Sequence, residues 1–88
     1  MQDRERPRPK RYLVEEAISL AMQSRWAEAV AINQRILEQF PDDVETHNRL
    51  GRALTELGRY VEAHNAYETS LKKDPNNLIE YDFLGYKF

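Results

Sequence analysis

Residues 44–77 read VETHNRLGRALTELGRYVEAHNAYETSLKKDPNN. Two helix-length runs, from Val44 to Leu57 and from Tyr60 to Lys73, meet at Gly58 and stop at Asp74-Pro75. Glycine can take the left-handed conformation that closes a helix, and proline cannot continue one. The stretch therefore predicts a helical hairpin. The same pattern recurs 34 residues earlier: Trp26 pairs with Tyr60, Ala29 with Ala63, Leu20 with Leu54, Leu37 with Leu71 and Pro41 with Pro75. A fixed period of this kind marks a stacked array, in which one unit cannot bury its apolar face alone. Such arrays work mainly by presenting surface.

Working outward, Leu13, Ala17, Leu20 and Ala21 have helical spacing and place a first helix from about Lys10 to Gln23. Ser24 is read as a cap for a second helix, Trp26 to Gln39, with Ala29, Val30, Ile32, Ile36 and Leu37 facing inward. In Phe40-Pro41-Asp42-Asp43, Asp42 with Glu45 three residues on reads as a capping box. Asn77 with Glu80 reads as another, opening a last helical segment from Leu78 to Phe88. Connections this short force neighbouring helices to run antiparallel. The expected fold is all-α: helical hairpins of residues 10–43 and 44–77, then a single terminal helix, 78–88. Before them, Pro7 and Pro9 alternate with basic residues, so residues 1–9 are expected to be an extended or disordered arm.

Residues 44–77 resemble the tetratricopeptide repeat, through Leu50-Gly51, Ala53, Gly58, Tyr60, Glu62-Ala63, Tyr67, Leu71 and Asp74-Pro75. His47 stands where that family usually has a large aromatic. Residues 10–43 match through Leu13, Ala17, Leu20, Trp26, Glu28-Ala29, Leu37 and Pro41, with Glu16 replacing a leucine and Asn33 replacing the second aromatic. Tyr81, Leu84-Gly85 and Phe88 fall in register for a third unit. The resemblance implies a short right-handed α-solenoid. Trp26, Tyr60, Tyr67 and Tyr81 would fill the wedges between helices, each burying on the order of 150–250 Å². Gly51 and Gly85 would permit close approach near Ala63, with Ala29, Leu50 and Leu84 completing the packing.

Composition excludes several classes. With 41% hydrophobic and 32% charged residues, the chain reads as one small soluble domain. No apolar run approaches the roughly 18 residues of a spanning helix, and MQDRERPRPKR lacks the apolar core of a signal peptide. A cytoplasmic location is expected by default, with no membrane partner. The absence of cysteine removes disulfides and thiolate chemistry. His47 and His64 match no metal-ligand spacing and are given structural roles. Ser19, Ser24 and Ser70 lack a nucleophile-elbow context, so no catalytic residue and no cofactor is expected.

What remains is surface. By position, the resemblance implies a concave groove formed by Arg11, Val14, Ile18 and Ala21, then Glu45, Asn48, Arg52 and Thr55, then Ile79, Asp82 and Tyr86. Such grooves receive a protein or peptide segment; the plainer reading is a merely solvated side. One subtype grips a terminal carboxylate with lysine and asparagine, but Val14 and Ile18 occupy those places here. Ile79, Phe83 and Tyr86 leave an apolar cluster on the last segment, which implies either self-association as a homodimer or cover by a foreign peptide. Residues 1–11 carry a net +3 on an acidic body. Five cations without an interleaved aromatic suit a solvated leader better than a nucleic-acid ligand.

Overall fold

The computed structural model describes residues 9–76, so the arm of residues 1–8 and the segment 77–88 lie outside the described residues. Four helices follow one another: α1 (Lys10–Met22), α2 (Trp26–Gln39), α3 (Val44–Glu56) and α4 (Tyr60–Lys73). Each packs on the next, and among the described residues there is no strand. The predicted ends of these four helices agree to within one residue, because the turn residues, the prolines and the apolar period punctuate the chain at the same places. Leu13, Ala17 and Leu20 of α1 meet Ala29, Val30, Ile32 and Ile36 of α2. The core continues through Ala53, Leu54, Ala63 and Ala66, with Val14, Trp26 and Leu50 packed against it.

The turns inside the two hairpins are copies of each other. Arg25 N–H donates to the Leu20 carbonyl at 2.9 Å, and Arg59 N–H to the Leu54 carbonyl at 2.9 Å. Both closures need a left-handed residue just before the arginine. Gly58 takes it at φ 80°, and Ser24 takes it at φ 59°. Ser24 is therefore not the cap of α2. It occupies a glycine position, while Arg25 begins α2 and forms a double hydrogen bond with Glu28, as Arg59 does with Glu62.

The capping box at Asp42 is also absent. The residue that begins α3 is Asp43, and its carboxylate makes no backbone cap. Asp42 Oδ1 accepts from Lys73 Nζ at 2.6 Å instead, and Asp43 Oδ1 accepts from Lys10 Nζ at 2.8 Å. The ends of α1 and α4 are thus both fastened to the loop that joins the hairpins.

Gly51 faces the ring of Tyr67, where a close contact near Ala63 was expected. A Cβ on Gly51 would lie 2.7 Å from two ring atoms of Tyr67, closer than carbon atoms approach. The corresponding pair in the first hairpin is Ala17 with Asn33: one methyl more on α1, one ring less on α2. Tyr67 is 3% exposed, whereas Tyr60, expected in a wedge, is 54% exposed. Tyr60, the first residue of α4, therefore does not fill a wedge in the core, while Trp26 at the same place in α2 packs against it.

Two outcomes follow. Gly→Ala inside a helix ordinarily gains about 1 kcal/mol of propensity. Gly51→Ala should instead cost about 1–3 kcal/mol by overpacking, and adding Tyr67→Asn should recover part of that loss; additive effects in a chemical-denaturation cycle would contradict the contact. Ser24→Gly should raise stability by about 1 kcal/mol by relieving the left-handed penalty, and Gly58→Ser should lower it by a similar amount. Equal melting temperatures for all three chains would show that the turns are not strained.

Candidate partner-binding face

α1 and α3 each bury one flank and turn another to solvent. Arg11, Ile18, Glu45 and Arg52 are exposed, and Val14, Ala21, Asn48 and Thr55 are half-buried. Ile18 retains 44% of its surface in water and Met22, one helical turn further, 81%. Met22 was not singled out in the sequence, although its spacing from Ile18 puts it on the same stripe.

Arg52 is held on two sides. Its Nε donates to Glu56 Oε2 at 2.9 Å, and its guanidinium lies 5.6 Å from the centre of the Trp26 ring. Asn48 and Thr55 are engaged within the fold: Ser70 Oγ donates to Asn48 Oδ1 at 2.5 Å, and Thr55 Oγ1 donates to the Gly51 carbonyl at 2.8 Å. Asp82 and Tyr86 of the predicted groove, the predicted self-association cluster Ile79, Phe83 and Tyr86, and the packing residues Tyr81, Leu84 and Gly85 lie outside the described residues.

Behind the face, a polar network joins the hairpins. Asn33 is 1% exposed; its Nδ2 donates to the Ala29 carbonyl at 2.8 Å and its Oδ1 accepts from Arg49 Nε at 3.2 Å. Arg49 also donates to Thr46 Oγ1 at 2.8 Å, and Thr46 donates to Asp43 Oδ2. Burial lowers the pKa of the Arg49 guanidinium, against the nearby charges of Asp43 and Glu45. For Asp43 burial pushes the carboxyl up, but hydrogen bonds from Lys10 and Thr46 and the charges of Lys10 and Arg49 outweigh it, and the net shift is downward. Asp42 is also held low, by the hydrogen bond from Lys73 and by its charge. Among the described residues no buried side-chain polar atom lacks a partner.

His47 is half-buried, with Nε2 2.8 Å from the Pro41 carbonyl, a contact that requires the Nε2–H form. His64 faces Glu68 at 3.7 Å across one helical turn. Among the described residues, no group of three or more histidine or carboxylate side chains could hold a metal ion, and no helix is long and apolar enough to cross a membrane.

A profile of the tetratricopeptide repeat matches residues 20–83. The chain belongs to the tetratricopeptide repeat family. No curated protein and no solved structure gives a significant match. Tetratricopeptide repeats are generally protein–protein interaction modules and typically non-catalytic. The helical hairpins described above are the architecture that such a repeat requires.

The carboxylates give a pH dependence with a definite sign. Asp42 and Asp43 have folded pKa values below their unfolded value of about 3.9. Their stabilisation is therefore fully present above that value and is lost as pH falls through the folded pKa values. The melting temperature should be level from about pH 7 to pH 5 and fall below about pH 4. Asp43→Asn should lower it at neutral pH and make the acid limb shallower. An acid limb that Asp43→Asn leaves unaltered would remove Asp43 from this account.

Proposed function

We propose that this tetratricopeptide repeat binds a segment of another protein along the solvent-facing row of α1 and α3. The segment places an apolar side chain against Ile18 and presents a carboxylate or a carbonyl to Arg52. The observation that carries this reading is the pairing of an exposed branched aliphatic with a prearranged cation. Ile18 is 44% exposed on a helix whose own core residues are fully satisfied elsewhere. Arg52 is fixed between Glu56 and the Trp26 ring, so less side-chain freedom is lost when a partner meets it. Apolar anchors with a few aligned polar contacts suit an extended or helical peptide.

Peptides selected from a random displayed library against the full chain provide the probe. A selected peptide should lose about tenfold or more in affinity toward Ile18→Asp and toward Arg52→Glu, a loss of about 1.4 kcal/mol or more, while both variants keep wild-type helicity. Peptides that bind both variants as tightly as wild type would place the binding surface elsewhere.

A further inference from the structure

The two hairpin turns share a backbone path but not a surface. At the first, Gln23 accepts from Arg25 Nη1 at 3.1 Å and donates to Ser19 Oγ at 3.0 Å, Ala27 faces solvent, and the Trp26 ring packs on the core beneath the Arg52 guanidinium. The residues 34 later than Gln23, Trp26 and Ala27 are Leu57, Tyr60 and Val61, which are 38%, 54% and 77% exposed. Closing the second turn does not call for large apolar groups there, since left-handed Gly58 and the bond from Arg59 N–H to the Leu54 carbonyl close it. Neither Leu57 nor Val61 contributes to the core. Exposed apolar side chains scattered singly are ordinary, but three within five residues at one tip form a patch of the kind that marks a contact surface.

The charges beside this patch are answered within the chain. Arg59 Nε and Nη2 donate to the two carboxylate oxygens of Glu62 at 2.7 Å each, and Arg52 Nε donates to Glu56 Oε2 at 2.9 Å. The hydrogen bond from Arg59 holds the Glu62 carboxyl below its usual range, so the two form an ionised pair with no net charge. A strongly acidic or basic partner has nothing to recognise in such a pair. A surface with one cation beside one anion is, however, complementary to itself. Rotation by half a turn about an axis through the patch sets the cation of one copy beside the anion of the other, twice, and brings the apolar groups together.

We infer that the tip of the second hairpin, Leu57, Tyr60 and Val61 with Arg59 and Glu62, is a self-association site, and that its occupant is the same tip of a second copy of this chain. What the copy places against the patch is fixed by the symmetry: its own Leu57, Tyr60 and Val61, with Arg59 of each chain facing Glu62 of the other. The contact closes on itself, so assembly stops at the dimer. Three side chains from each chain cover far less than the roughly 1,200 Å² at which stable interfaces begin, so the dimer is weak and depends on concentration. Ile18 and Arg52 take no part in it, and it stands whether or not their row binds a peptide.

Sedimentation equilibrium of the full chain from about 1 μM to about 1 mM tests this. The mass should rise from 10.4 kDa toward twice that value. Val61→Asp, at an exposed position that leaves helicity unchanged, should stay monomeric throughout. Arg59→Glu and Glu62→Arg each set like charges across the axis and should each weaken the dimer about tenfold or more, whereas an equimolar mixture of the two chains should recover it. A parent chain that stays at 10.4 kDa over the whole range would overturn the site. So would a dimer that Val61→Asp leaves intact, or a mixture of the two charge variants no tighter than either alone.

Discussion

The ring of Tyr67 lies where a side chain on Gly51 would have to be. That contact sets how closely α3 and α4 approach, and the first hairpin shows what happens when it is exchanged for another. There Ala17 adds the methyl that Gly51 cannot carry, and Asn33 takes the place of the ring. The exchange keeps the hairpin closed but puts an amide into the interior. A buried amide costs free energy unless it is hydrogen-bonded, so it needs partners. It finds one in the Ala29 carbonyl of its own helix and the other in Arg49 of the next hairpin.

From that second bond the junction between hairpins follows. Arg49 reaches Asn33 only by being partly buried, and its charge is answered by Thr46 and, at 4.0 Å, by Asp43. Asp43 in turn receives Lys10 from the start of α1, whose ammonium also lies 5.1 Å from the centre of the Phe40 ring. Networks of this type add little net stability compared with an apolar interface of equal volume. Their effect is on register. Sliding α3 by one turn along α2 would leave the Asn33 amide oxygen unpaired, at a cost of about 1–3 kcal/mol, and would separate Arg49 from it. The repeating apolar pattern alone does not distinguish those two alignments.

Much of this architecture is legible in the residues. Helix positions follow from period and punctuation, and the hairpin of residues 44–77 carries enough of the repeat pattern to identify its family. The turns and the junction are less legible, for physical reasons. Ser24 looks like an ordinary cap, because serine is common at helix starts, yet its place 34 residues before Gly58 requires a left-handed backbone. Asp42 with Glu45 looks like a capping box, but the carboxylates of Asp42 and its neighbour Asp43 are taken up by lysines 31 and 33 residues away in sequence. Tyr60 occupies the repeat position of Trp26, but Trp26 is covered by Arg52 of the following helix and Tyr60 stands largely in solvent. The departure at Asn33 was visible in the sequence and marks the place where the network forms; which residue would answer it was not. Of the candidate face, the alternation of Ile18 with Arg52 at equivalent positions is plain in the sequence. The hold of Glu56 and Trp26 on that arginine is not.

The account rests on the four helices forming one continuous stack, joined through Asn33 and Arg49, rather than two hairpins that fold side by side. Native-state hydrogen exchange tests this most directly, comparing the full chain with Arg49→Ala. One stack requires the slowest amides to lie in α2 and α3 together, opening in a single event, and requires Arg49→Ala to speed exchange in both by a common factor. If the slow amides of α2 keep their protection while only those of α3 lose it, the hairpins are independent units and the account is wrong.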